Sequence, residues 1–224
     1  MNDCTRREFI LNSIQTSKIL GSAILFPNIL NASKLEFKDL SCGDMNKKRI
    51  LVAYASEYGS TNEVAKYIGS ILCQNGNKVD VQWIQNINNL DDYDSIIIGS
   101  PIQYDTWMPD AIKFITKYQD TLSKLEVSYF FTCLTLSKKT KQIELQANAY
   151  ANNLYELIPN IKPKSIGQFS GVLDYSKMSF LSKIVFKSGF FILGVKEGDY
   201  RNWAEIKSWT NRKRTNIEIK FISN

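Results

Sequence analysis

Ile50-Leu-Val-Ala-Tyr-Ala-Ser56-Glu-Tyr-Gly59-Ser-Thr61-Asn-Glu-Val-Ala-Lys66 decides the fold. An unbroken apolar run ends at Ala55, a short loop of hydroxyls with one glycine follows, and an amphipathic period takes over from Ser60. The spacing predicts a strand over 49–55 and a helix over 60–74, closed by Asn75-Gly76. Such a junction aims unpaired backbone N–H groups and the positive end of a helix dipole at one small volume, which suits a phosphate. Ser56, Ser60 and Thr61 add donors without bulk, and Gly59 permits close backbone approach. Serine and threonine are also ordinary helix caps, so capping alone stands beside phosphate binding as a reading of this loop.

Apolar runs alternate with helical periods through the rest of the chain, the pattern of parallel β-α-β units. Strands are expected at 78–83, 95–99, 126–132 and 163–173, and helices at 109–118, 142–157 and 204–210. The alternating polarity of 78–83 suggests an edge or half-exposed strand, whereas Ser95-Ile-Ile-Ile-Gly99 should be central. Five strands with interleaved helices make a doubly wound α/β sandwich, in which ligands sit beyond the carboxyl ends of the strands. Three loops leave such ends: 56–61, 100–108 and 133–139. In the second, Tyr104 and Trp107 are placed either to flank a flat heterocycle or simply to pack.

Composition narrows the chemistry. The 224 residues contain no histidine, which removes Ser-His and Cys-His nucleophile systems and His-ligated metals. Cys4, Cys42, Cys73 and Cys133 lack C-x-x-C spacing, so neither a disulfide framework nor a zinc site is expected. Residues 162–224 carry twelve basic and five acidic side chains, a surplus that favours an anionic partner there.

At the N-terminus, Thr5-Arg6-Arg7-Glu8-Phe9-Ile10-Leu11 precedes the apolar 19–26 stretch and resembles a twin-arginine export signal. Residues 1–48 are accordingly read as signal or anchor plus linker, with the folded domain over 49–224 outside the cytoplasm. Lys18 interrupts the apolar core and no clean A-x-A cleavage site follows, so a retained membrane anchor stays open. Within the domain, 178–194 combines Phe180, Leu181, Ile184, Val185 and Phe186 with Lys183 and Lys187 four apart. That profile fits either a helix covering the sheet or one lying in a membrane interface. Nucleic acid is disfavoured, because the basic residues are scattered and no recognised binding motif occurs.

Ser56-x-x-Gly59-x-Thr61 after the first strand, and Gly99-Ser100-Pro101 with Tyr104 and Trp107 after the third, resemble the FMN-binding loops of flavodoxins. The resemblance implies a parallel sheet in the order 2-1-3-4-5 and FMN as cofactor. Ser56, Glu57, Tyr58, Gly59, Ser60 and Thr61 would surround its phosphate, and Tyr104 and Trp107 would border the isoalloxazine ring. Backbone groups of Ser100, Pro101, Ile102 and Gln103, and of Cys133, Leu134 and Thr135, would meet the ring's polar edge. Tyr58 stands where flavodoxins more often carry threonine.

A narrower resemblance follows from Phe131-Thr-Cys-Leu-Thr-Leu-Ser-Lys-Lys139, Asn148-Ala-Tyr150-Ala151, Gly171-Val-Leu-Asp174-Tyr175 and Tyr200-Arg-Asn-Trp203. These occur in the order found in the flavodoxin-like, menaquinone-dependent protoporphyrinogen oxidases. That likeness implies a porphyrinogen donor and a quinone acceptor, with the flavin carrying the chemistry and no side chain singled out as a general base. Two other readings remain: a non-enzymatic electron carrier for a protein redox partner, and a flavin-free binding module that keeps only the fold.

Overall fold

The computed structural model describes residues 38–44, 46–178, 183 and 195–218. Five parallel strands form the centre: β2 (Arg49–Tyr54), β3 (Lys78–Trp83), β4 (Ser95–Gln103), β6 (Glu126–Cys133) and β7 (Ile166–Ser170). They lie in the order β3-β2-β4-β6-β7, the expected 2-1-3-4-5 of an open doubly wound sheet. Two short antiparallel strands extend it to seven: β1 (Leu40–Cys42) on the outer edge of β3, and β5 (Thr106–Trp107) folded back on β4.

The apolar runs form strands buried on both faces because successive side chains point to opposite sides. Ile50, Val52 and Tyr54 face a core closed by helices α1 (Ser60–Gln74) and α4 (Trp203–Glu218) through Val64, Ile68, Leu72, Ile206 and Trp209. Leu51, Ala53 and Ala55 face the other core, closed by α2 (Pro109–Lys117) and α3 (Lys141–Leu157) through Ile115, Tyr150 and Leu154. Thr140 caps α3 by accepting the Ile143 N–H at 3.3 Å, and Pro109 occupies the first turn of α2, where its missing N–H costs nothing.

Four expectations change. The stretch expected to be a linker supplies β1, so 78–83 is an interior strand; its alternating polarity arises because Val79 and Val81 enter the α1 core while Asp80 binds polar partners. Asp80 accepts from Ser41 Oγ at 2.6 Å and Tyr93 Oη at 3.0 Å, and lies 3.6 Å from the Arg49 guanidinium. Cys42 and Cys73, 31 residues apart, form a disulfide with Cα atoms 6.0 Å apart. Sequence spacing could not reveal it, because β1 pairing and the end of α1 bring the two together.

The strand expected over 163–173 is broken at Gly171: β7 stays in the sheet, and β8 (Val172–Leu173) turns away to pair with β9 (Gly198–Asp199) as a separate ribbon. Finally, β4 and β6 run past their expected ends, to Gln103 and Cys133. The export-signal reading falls on residues outside those described, as does all of the apolar-basic 178–194 stretch except Met178 and Lys183. No helix among the described residues is long and apolar enough to cross a membrane.

Gly99, expected as the last residue of its strand, lies inside β4, paired with Tyr54 and Phe130. A Cβ there would overlap the Phe130 ring, which is fully buried. Gly99→Ala should therefore destabilise the fold by about 2 kcal/mol through overpacking. Urea denaturation checks this, and an unchanged midpoint would show that the ring yields freely.

Candidate functional site

The loop 56–59 brings the chain out of β2 over the carboxyl edge of the sheet and into α1. Ser56 is buried and its Oγ accepts the Gly59 N–H at 3.1 Å, which curls the loop. Gly59 takes φ +89°, a left-handed conformation that a residue with a Cβ adopts at a cost of about 1–2 kcal/mol. It is the N-cap of α1, and no side chain caps that helix. Simple capping by Ser56, Ser60 or Thr61 is thus not what the loop does, and the first-turn amides keep the donor capacity that every helix N-terminus has.

Ser56, Glu57, Tyr58, Ser60 and Thr61 line one cavity of about 60 Å³. Pro101 and Gln103 join them from β4, so two of the three expected loops meet. Gln103 Nε2 donates to Glu57, which ties the loop to the end of β4. The buried Thr61 hydroxyl is shared with Thr132 Oγ1 of β6 at 2.9 Å, which ties the start of α1 to the end of β6 beside the cavity.

The second loop is a hairpin. Gln103 pairs with Thr106 across Tyr104 and Asp105, whose φ values are +50° and +61°. A two-residue turn with both centres left-handed matches strand twist but is ordinarily built from Asn-Gly. Tyr and Asp hold it at a cost of roughly 1–2 kcal/mol each. The α3 helix holds this tip from outside: Tyr150 Oη donates to Asp105 Oδ1 at 2.6 Å, and Gln146 Nε2 reaches the same oxygen at 3.3 Å. Burial, followed by the hydrogen bond to Asp105, pushes the Tyr150 hydroxyl far above its ordinary value and keeps it a donor. Tyr104 is left 89 % exposed.

Trp107 corrects the expectation of a second aromatic wall. It is 1 % exposed and packs edge-on against Tyr129 and Phe131, because β5 turns it into the α2/α3 core. Ser100 is likewise structural: its Oγ donates to the Pro101 carbonyl at 2.9 Å and accepts the Met108 N–H at 3.0 Å, closing the base of the hairpin. Cys133 ends β6, and burial pushes its thiol up. Leu134 and Thr135 begin a 3-10 turn (Leu134–Ser137), whose Leu136 carbonyl accepts Ser170 Oγ at 2.9 Å. They do not line the cavity of the first loop.

Sequence reasoning missed the far wall of that cavity, formed by Val172, Asp174, Lys177, Met178 and Arg201. It also missed Thr132 and Asp105. The motifs Gly171-Val-Leu-Asp174 and Tyr200-Arg-Asn-Trp203 were visible, but only the β8–β9 ribbon carries them to the first loop.

The Flavodoxin domain model matches residues 51–196, well over half of the chain. The chain belongs to the flavodoxin domain family. Protoporphyrinogen IX dehydrogenase [quinone] of Escherichia coli (strain K12) is 24% identical over 168 residues, which cover 72% of this chain and 92% of that protein. The Leishmania major protein of the same name is 23% identical over 174 residues, 73% of each chain. Among solved structures, the flavoprotein in complex with FMN from Lactobacillus acidophilus superposes with a TM-score of 0.41 at 18% identity, covering 55% of this chain and 93% of that one.

The clamp on the hairpin of this flavodoxin-domain protein can be measured directly. Tyr150→Phe removes a charge-assisted hydrogen bond and should lower stability by about 1–2 kcal/mol. Chemical denaturation reads the change, and a wild-type midpoint would mean that Asp105 does not depend on Tyr150.

Proposed function

We propose that this protein is an FMN-dependent oxidoreductase that transfers electrons from a porphyrinogen-like donor to a quinone. The observation that carries the cofactor assignment is the loop at Ser56–Thr61. A glycine with φ +89° stands at a helix N-terminus that no side chain caps, in a chain of the flavodoxin domain family. The residues fit the phosphate end of FMN: backbone amides around Gly59, Ser60 and Thr61 would hold it, with Ser56 shaping the loop. Tyr104 would cover one face of the ring, and backbone groups of 100–103 and 133–135 would meet its polar edge.

Bound FMN supplies reversible two-electron chemistry between a reduced donor and an oxidised acceptor. The chain itself fixes position. Tyr150 and Gln146 hold Asp105, and through it the exposed Tyr104, while the Glu57–Gln103 bond keeps the two loops together. The donor and acceptor classes are supported by the similarity to protoporphyrinogen IX dehydrogenase [quinone], of which 92% is covered.

We extend the proposal to location: export by the twin-arginine route, with 178–194 as the candidate contact to a membrane surface. The Cys42–Cys73 disulfide supports this, since disulfides persist outside reducing compartments.

The absorbance spectrum of purified protein is expected to show flavin bands; a colourless preparation that ignores added FMN would sink the cofactor assignment. Anaerobic mixing with protoporphyrinogen and a menaquinone analogue should then give flavin-dependent turnover. Flavin-bound protein without turnover would overturn the enzyme reading in favour of an electron carrier.

A further inference from the structure

The cavity against Ser56–Thr61 contains two cations that the loop does not supply, Lys177 and Arg201. Their situations differ. The Arg201 side chain is 7% exposed and fully committed, with Nη1 on Glu63 at 2.6 Å, Nη2 on Asp199 Oδ2 at 2.6 Å and Nε on Asp199 Oδ1 at 2.9 Å. Its guanidinium also stacks 4.5 Å from the Trp203 ring centroid. Arg201 is therefore shared between Asp199 and Glu63, and it offsets part of the charge of Glu63, a carboxylate in the first turn of α1 that repels an anion at the helix N-terminus.

Lys177 is held loosely. Its ammonium lies 3.6 Å from Glu63 and 3.9 Å from Asp174, beyond hydrogen-bonding distance of both, and the side chain is 41% exposed. An ammonium with three donors, two long carboxylate contacts and the more distant charge of Asp199 gains by meeting a phosphate dianion, whose charge exceeds that of any one of these carboxylates. The other acidic group of the cavity, Glu57, accepts from Gln103 and does not compete.

We infer that Lys177 is a phosphate-binding residue, pairing with the phosphate of the flavin nucleotide while Arg201 holds Glu63. This rests on the FMN assignment above. Lys177 immediately precedes Met178, so the phosphate also fixes the point at which the chain enters the apolar-basic 178–194 stretch. Cofactor loading and the start of that stretch then share one side chain.

The test is titration of apoprotein with FMN and with riboflavin, followed by flavin fluorescence at low and moderate salt, for wild type, Lys177→Gln and Lys177→Arg. Loss of one charge-assisted bond should raise the FMN Kd of Lys177→Gln roughly tenfold to a hundredfold. Riboflavin affinity should stay at the wild-type level, Lys177→Arg should retain most FMN affinity, and the salt dependence should flatten in Lys177→Gln. Equal FMN affinity in wild type and Lys177→Gln would overturn the inference and leave the FMN assignment standing. Equal losses for FMN and riboflavin would overturn it too, since they mean general damage to the fold. Wild-type protein that binds neither ligand would remove the FMN assignment itself.

Discussion

The constraint on which the rest depends is that β2, β4 and β6 are largely apolar and are buried on both faces. Two-sided burial demands helices above and below, and once those are in place the flat surfaces of the sheet are closed to any ligand. Only the strand ends stay open. Because the strands are parallel, the loops at one end all leave carboxyl termini, and the central strands bring their loops side by side. The place of the site follows from the hydrophobic effect before any polar residue is considered. Each buried Val, Leu or Ile side chain contributes roughly 1.5–3 kcal/mol, and no single contact in the loops approaches their sum.

That surplus is what permits awkward geometry at the edge. Gly59 meets its left-handed conformation at no steric cost, but Tyr104 and Asp105 do not. Holding both at positive φ costs a few kcal/mol, and the bonds from Tyr150 and Gln146 to Asp105 offset part of it. The rigid sheet supports the remainder. The turn is strained and held by α3, and it leaves a tyrosine ring in solvent at its tip, from which the core gains nothing.

Much of this was legible in the chain. Ile50 to Lys66 announces strand, loop and helix because the period of apolar residues changes from continuous to 3.6 within a few positions, and each local preference agrees with the global fold. What was not legible depends on contacts remote in sequence. Trp107 looked like a ring partner because exposure cannot be read from a hairpin whose turn is Tyr-Asp rather than Asn-Gly. Ser100 carries the right hydroxyl but bonds it to Pro101 and Met108, and Thr61 shares its own with Thr132 of β6. Cys42 meets Cys73 only because a short strand adds to β3, and Arg201 meets Glu63 across 138 residues. Periodicity reports which face is buried, not which polar group another will find.

The disulfide has a consequence for the sheet's margin. With three residues, β1 adds only a short ladder to β3, and it is held there by the Ser41 hydroxyl on Asp80, by Asp39 accepting the Trp83 N–H, and by the bond to Cys73 at the end of α1. Closing a loop of that length constrains the unfolded chain by about 4 kcal/mol. Reduction would loosen the cover from β3 and uncover a row of backbone groups ready to pair with another chain. The redox state of the surroundings thereby bears on how firmly that border of the sheet stays covered.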